Sequence, residues 1–575
     1  MPLATLPTDY QSVKTWTWDN FAPYYADLLA TDLTSTTVDN WLAEWSQLSS
    51  LLEETQTQLI FASSRNTADT EIDQQMTAFI DEIVPKMLVQ EQAVKQKLIE
   101  SGLHPTGFEI PLRKIRTEFD LFRDENVPLL SASRKQGLEY EKLGGARTVL
   151  WEGSEIPIAQ LAPVQRDPDR DRREHAWRTA NARLAQDTPS LSTLWRQMIT
   201  TRHELAINAG FPNYREYRWQ QLFRFEYTPA DAKQFHDAIE STVIPVVVRH
   251  HEQRRRQLGV PTLRQWDLAV DPSGRKPVTP YQSIAELKSK TANIFRQVDP
   301  QFATYFEIMD NEGLLDLDSR KNKAGGGYSL GLAVTKRPII FMNAVGTHSD
   351  IQTLLHEGGH AFHTFETEHL PYLQQRSEQM VPMEFAEVAS MSMELLGAPY
   401  LTADKGGFYT PAEAARARID YLESIIHFFP YMAMIDALQH WIYEHETGEG
   451  ADLESCDRYW STLVDRFLPD LDWSGAEAEK QMYWHRQLHV FQEPFYYIEY
   501  GIAQLGAVQV WANSLRDPQK AVAQYRHALS LGGTATLPEL YVAAGAKLAF
   551  DEDILRQAID LVEQTIQTLE PIANS

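Results

Sequence analysis

The residues best placed to do chemistry lie in Leu354–Phe365, LLHEGGHAFHTF, which contains His356-Glu357-Gly358-Gly359-His360. Residues four apart share one face of a helix, about one turn from each other. His356 and His360 can therefore direct two imidazoles at one metal ion. Glu357 stands beside the first of them, within reach of a water next to that ion without itself binding the ion. The H-E-x-x-H pattern by itself also fits a surface helix that carries two histidines and a glutamate. The apolar neighbours Leu354, Leu355, Ala361 and Phe362 place it instead on a buried or cleft-lining helix. There a histidine needs partners for its ring nitrogens, and a metal supplies one. Two glycines inside a helix cost about 1 kcal/mol each relative to alanine. Close approach of a backbone or a substrate would account for them, as would plain packing against another helix.

A catalytic zinc needs a third protein ligand and an open fourth position. The candidates downstream are His363, Glu366, Glu368, His369, Glu378, Glu384, Glu387 and Glu394. His363 shares the first helix and cannot easily complete a tetrahedron. Pro371 and Pro382 bracket a loop, and MEFAEVASMSMELL then starts a new helix at Met383. Glu384, Glu387 and Glu394 share one face of it, while Ala386, Ala389 and Ser390 are small enough to let two helices close up. Glu387, mid-stretch among them, is the expected ligand, and Glu384 is expected to orient a ligand histidine. An unpaired carboxylate on so apolar a helix would be costly. A second cluster, His489, Tyr496, Tyr497 and Tyr500, sits in HVFQEPFYYIEYGIAQLGAVQVW. Imidazole and phenol can donate to a developing oxyanion. Taken alone, these residues read more simply as an aromatic core helix with satisfied hydroxyls.

The elements that must position these groups are mostly helices. Apolar residues recur at three and four from Asp39 to about Gly102, and helical patterning returns from Asp167, over 201–258, over 281–298, and from Pro411 to the end. Residues 1–30 should wrap over the body, and 259–280 should be a loop rich in Pro and Gly. The charge runs DRDRREHAW and Arg249–Arg256 read as solvated helix faces. Thr148–Trp151 is strand-like. The strongest β signal follows Lys323-Ala324-Gly325-Gly326-Gly327-Tyr328: Ser329–Val334, a turn at Thr335–Pro338, then Ile339–Asn343. Such a hairpin beside a metal-site helix either lends its free edge to an extended peptide or is merely structural. The glycine triplet lacks the pattern of a phosphate loop.

The chain has 575 residues, 43% of them hydrophobic, enough for a large core. A net charge of -26 argues against a nucleic-acid partner. The one cysteine, Cys456, excludes an internal disulfide and fits a reducing compartment. The first residues lack the basic and apolar regions of a secretory signal, and no window has the ~18–20 continuous apolar residues of a membrane span. A cytoplasmic protein with no membrane partner is expected.

Several stretches together resemble the thimet oligopeptidase family of zinc peptidases, in its oligoendopeptidase F branch. They are KAGGGYSLGL, PIIFMNAVGT, TLLHEGGHAFH, MEFAEVASMSMELL and HVFQEPFYYIEYGIAQLGA, with weaker similarity in GARTVLWEG, RDPDRDRREHAW, RFEYTPADAKQFHDAIE and ALSLGGT. The resemblance implies a mainly α fold. It would be a large helical ellipsoid with a deep central channel and a small β-sheet beside the active-site helix, admitting short unstructured peptides. It also implies an N-terminal helical domain covering the channel, residues 1–200, and a zinc peptidase catalytic domain, residues 201–575. One Zn(2+) per chain would be held by His356, His360 and Glu387, with Glu357 as general base. His489 and a tyrosine among Tyr496, Tyr497 and Tyr500 would bind the oxyanion, and Gly325, Gly326, Gly327 and Tyr328 would line the substrate groove. Position 358 is glycine here and bulkier in many relatives. HEGGHA also resembles the helix of zinc carboxypeptidases of the carboxypeptidase Taq type, but their third ligand sits in an H-E-S context, unlike F-A-E-V-A-S here. A helical peptide-binding protein with a structural metal, or one with no metal, are the other readings.

Overall fold

The computed structural model describes residues 5–275 and 278–575. Residues 1–4 of the expected N-terminal wrap, and residues 276 and 277 of the expected 259–280 loop, lie outside the described residues. The chain is mainly helical, as expected, with two small sheets. α1, Val38–Arg65, buries Trp41, Leu42, Trp45, Leu48, Leu51 and Leu52. These side chains belong to a core running from Leu6 to Ile115, while a second, larger core takes residues from Leu121 to Leu569. The strand-like stretch forms β1, Thr148–Trp151, paired antiparallel with β2, Ser154–Pro157.

The second sheet carries β3, Leu315–Asp318, β4, Tyr328–Leu332, and β5, Arg337–Ala344, in the order β3-β5-β4. The hairpin is present, with Ser329 opposite Ile340 and Gly331 opposite Pro338. β3 pairs parallel to the other side of β5, so β4 is left as an edge. Pro338 has no N–H to give. Its opposite residue Gly331, and by alternation Ser329, therefore turn their backbone groups to the open side.

β5 feeds directly into α2, His348–Glu366. Asp350 fixes that start by accepting the amides of Val345, Gly346 and Thr347 at 2.9, 2.8 and 2.7 Å, together with the Tyr281 hydroxyl. α3, Met383–Gly397, is buried from Glu384 to Gly397. It lies between α2 and the later helix α5, Tyr497–Arg516, which packs in turn on α4, Pro411–Glu444.

The charge runs depart from expectation. Arg173 is 2% exposed and, with Arg170, holds the fully buried Asp267 at 2.9 and 2.7 Å. His251 is buried against Asp470 at 2.8 Å. Both runs place one face in the interior, where a buried carboxylate needs cations.

Candidate metal centre and active site

The two glycines of the motif have distinct causes. A Cβ at Gly359 would stand 2.6 Å from Ala389 O and 2.6 Å from Ser390 Cα, so α2 and α3 cross with backbone against backbone. A Cβ at Gly358 would stand 2.5 Å from Cζ of Phe295. Both are packing requirements, the first of them the close backbone approach that the small residues of α3 foretold.

That crossing brings Glu387 under the two histidines. Its Oε2 lies 3.4 Å from His356 Nε2 and 3.8 Å from His360 Nε2. The three donor atoms all lie within 4.8 Å of one another. A tetrahedral ion with bonds of about 2.0–2.2 Å holds its ligands about 3.3–3.6 Å apart, so this donor set fits zinc. Buried groups of this kind are costly without a cation to share. Burial works against the Glu387 carboxylate, but a bond from His356, the nearby His360 and a bond from Ser390 hold its pKa down to about 2. Ser390 Oγ donates to Oε2 at 3.1 Å. Burial pushes His360 down to about 4, leaving it a neutral imidazole with a free lone pair.

Glu394, not Glu384, orients His356. Its Oε1 lies 2.8 Å from His356 Nδ1, which fixes the ring and turns Nε2 toward Glu387. Burial opposes charge on His356, yet its bonds to Glu387 and Glu394 lift its pKa well above the usual range. Glu384 instead accepts the Tyr227 hydroxyl at 2.7 Å and lies 3.8 Å from the buried Arg224. The remaining candidates go elsewhere. His363 is buried with its ring 6.3 Å from that of Phe385. Glu366 pairs with Arg526, and Glu368 with Arg337.

Glu357 is 7% exposed and next to the cluster. Burial raises its pKa to about 7, with Glu387 and Glu394 adding to the rise, while His356 and the Ser329 amide of β4 oppose it. The tyrosine cluster assembles as its spacing suggested. The His489 ring lies 5.7, 5.1 and 5.9 Å from those of Tyr496, Tyr497 and Tyr500. Only Tyr496 is seen bonded to the ligand set, its hydroxyl 3.4 Å from Glu387 Oε1. Burial, with the Glu387 charge close by, pushes its pKa far above the usual phenol value, so it stays a donor.

Tyr496 follows Phe495, which holds φ +67. A bulky residue in the left-handed region needs outside support. Its N–H donates to Gln439 Oε1, and its carbonyl accepts from Arg224, which also binds Glu499 at 2.7 Å. Sequence reasoning passed over Arg224 and Gln439, because nothing in their local spacing marks them, and took Ser390 only as a small packing residue.

Gly325, Gly326 and Gly327 are exposed, at the start of β4. Gly327 approaches α2, where its Cβ would lie 3.2 Å from Thr353 Cγ2. Tyr328 stacks its ring on Phe341 at 4.8 Å, within a small apolar cluster that includes Phe61 and Ile339.

The profile of Peptidase family M3 matches residues 164–559. Oligopeptidase PepF of Bacillus subtilis (strain 168) is 24% identical over 344 residues, which is 57% of this chain and 47% of that protein. The chromosomal oligoendopeptidase F of Lactococcus lactis subsp. cremoris is 23% identical over 338 residues, 57% of this chain and 52% of that protein. The match thus spans about half the length of these relatives. Among solved structures, PZ peptidase A with inhibitor 2 superimposes with TM-score 0.86 at 24% identity, covering 98% of this chain and 99% of that one. Oligoendopeptidase-F from Enterococcus faecium gives 0.63 at 16% identity, covering 97% and 98%. At such identities the structures show the fold.

Proposed function

The chain belongs to peptidase family M3, and on that premise we propose that it is a zinc-dependent endopeptidase acting on internal bonds of short, unstructured peptides. The observation that carries this reading is the convergence of His356, His360 and Glu387 with Glu357 beside them. A zinc ion held by those three side chains would polarise the scissile carbonyl and lower the pKa of an adjacent water. Glu357 takes the proton of the attacking water and passes it to the leaving amine, for which a pKa near the operating pH is the useful value. Tyr496 donates its hydroxyl to the carbonyl oxygen as negative charge develops there. His489 and Tyr500 pack against it, and Tyr497 meets the His489 ring edge-on.

Peptide substrates would lie along the open edge of β4, entering past Gly325–Gly327 and Tyr328, with Ser329 and Gly331 offering their backbone groups. The separate core of Leu6–Ile115 supports an N-terminal helical layer over a channel, while the larger core begins at Leu121, so the catalytic body of residues 201–575 draws on residues 121–200 as well. Among the described residues no helix is long and apolar enough to cross a membrane. That and the single buried Cys456 support a cytoplasmic setting.

Mass spectrometry of a peptide-library digest, with and without chelator, tests the reading. Chelator-sensitive cuts at internal bonds are expected. Trimming of single C-terminal residues would instead make the chain a carboxypeptidase, and peptide binding without cleavage would leave the metal structural.

A further inference from the structure

The open edge of β4 has a closed end. At Ser329 it faces Glu357, and at Gly331 the amide points to the Glu378 carboxylate. One step further, the Ala333 carbonyl is taken by Arg376 Nη2 at 2.9 Å, and the Val334 and Thr335 amides are taken by Glu54 at 2.7 and 2.8 Å. A strand added along β4 can therefore pair at Ser329 and Gly331 and must stop there.

It stops at a cavity of about 170 Å³ lined by Glu53, Thr57, Lys336, Thr364, Arg376 and Glu378. The cations of this wall are committed. Arg376 donates to Ser50 Oγ at 3.1 Å and to Ala333 O, and Lys336 Nζ donates to Glu368 O at 2.8 Å. The carboxylates are bonded only to neutral groups: Ser377 Oγ donates to Glu53 Oε2 at 3.5 Å, and the Gly331 amide and Thr364 hydroxyl donate to Glu378. Among the described residues neither Glu53 nor Glu378 forms an ion pair, although Arg376 is near enough to favour the Glu53 anion. Desolvation at the cavity raises both to about 7, in Glu53, half-buried, against the pull of Arg376, and in Glu378, which keeps an exposed edge, with the charges of Glu53 and Glu357 adding to the rise. Thr57, only 8% exposed, lines the cavity with a hydroxyl that has no hydrogen-bond partner among the described residues. Neither carboxylate thus has a cation bonded to it, a place that a compact ammonium, donating also to the Thr57 hydroxyl, would fill.

We propose that this closed end receives the free α-amino group of the substrate, held between the Glu53 and Glu378 carboxylates with Thr57 as a further acceptor. The inference rests on the peptidase reading and deepens it. An amino terminus here means that the peptide runs antiparallel to β4. The scissile bond then lies beside Ser329, and at about 3.3 Å per residue the amino terminus falls within about four residues of it. The chain would measure its cut from the amino end of the peptide. The one cation in position would be an ammonium on a flexible chain end, which costs little ordering when it pairs with two carboxylates.

A ladder of peptides lengthened one residue at a time at the amino end, digested by the wild-type enzyme, tests this. The cut is expected to keep its distance from the amino terminus, and N-acetylation is expected to lower kcat/KM at least tenfold. In Glu53→Gln/Glu378→Gln that acetylation penalty should shrink toward unity. Fluorescence anisotropy of a labelled peptide on Glu357→Gln gives the same comparison without turnover: the free amine should bind at least fivefold tighter than its acetylated form. Cuts that keep their distance from the carboxyl end, or cleavage indifferent to acetylation, would overturn the proposal and leave the peptidase reading intact. A chain that hydrolyses no peptide would remove both.

Discussion

Glu357 owes its value as a base to burial, which brings its pKa to about 7, so its anion is shared out near neutrality rather than fixed. Glu357→Gln keeps the side chain's shape and removes its basicity. The expected outcome is full metal content by elemental analysis with turnover down by about 10³ or more in a fluorogenic peptide assay. Tyr496→Phe should bind metal normally and lose about a hundredfold in kcat, whereas Tyr497→Phe should lose far less, because only the Tyr496 hydroxyl meets the ligand set. Glu394→Ala frees the His356 ring, and competition with a zinc-binding dye should show metal affinity weaker by about 10–100-fold. The two histidines and Glu357 were legible in the sequence because their relation is local, one helical turn. Glu384 and Glu394 share a face of the second helix, so periodicity could not say which of them reaches back to His356. Packing decides it. Gly359 meets Ala389 and Ser390, His363 meets Phe385 and His356 meets Glu394, so numbers rising on α2 match numbers falling on α3. The antiparallel crossing hands the earlier histidine to the later glutamate.

Helix α2 is held by what stands at its two sides, and both were partly written in composition. Small residues at Ala386, Ala389 and Ser390 announced a close neighbour, and the glycine pair supplied the other half of the contact. Gly359→Ala inserts a methyl group 2.6 Å from an α3 carbonyl that is main chain and cannot swing away. The helices must separate, at a cost of about 1–3 kcal/mol or more, and the Glu387 carboxylate moves off the histidines. Differential scanning calorimetry should show a lower Tm, and metal titration a weaker site. Gly358→Ala is the control within the same motif, since the Phe295 ring it meets has some freedom to turn. The hairpin of β4 and β5 was legible from alternation and its turn residues. β3 was not, because Leu315-Asp316-Leu317-Asp318 is short and half acidic. Its Asp316 is held by Arg320 at 2.5 Å and Lys323 at 2.8 Å from the turn that follows, and by Arg65 at 2.9 Å from α1.

At the scale of the whole molecule, two cores meet at a seam that holds two carboxylates with no cation bonded to either. Glu53 comes from α1, on the N-terminal core, and Glu378 from the segment between α2 and α3 on the catalytic side. The partition of apolar side chains near residue 115 could not be read from the sequence, since a single helix, Glu109–Leu121, gives Ile115 to one core and Leu121 to the other. The seam has a consequence for stability against pH. Burial raises the Glu53 pKa from 4.5 to about 7 in the folded chain. Between those values the native state binds a proton that the unfolded chain has released, so this group's contribution is complete below about 4.5 and is lost as pH rises through 7. Glu378, raised in the same sense and facing Glu53, adds to the loss. Wild-type Tm should therefore fall between pH 6 and pH 8, beyond any general drift of the chain's -26 charge. Glu53→Gln cannot ionise and should flatten that fall, gaining about 1–3 °C over wild type at pH 8 and nothing at pH 5. Thermal denaturation of both chains across the range measures it. Equal slopes would mean that the carboxylate is already neutralised across the seam. A gain at pH 5 alone would mean that it is the amide's packing, not the lost charge, that matters.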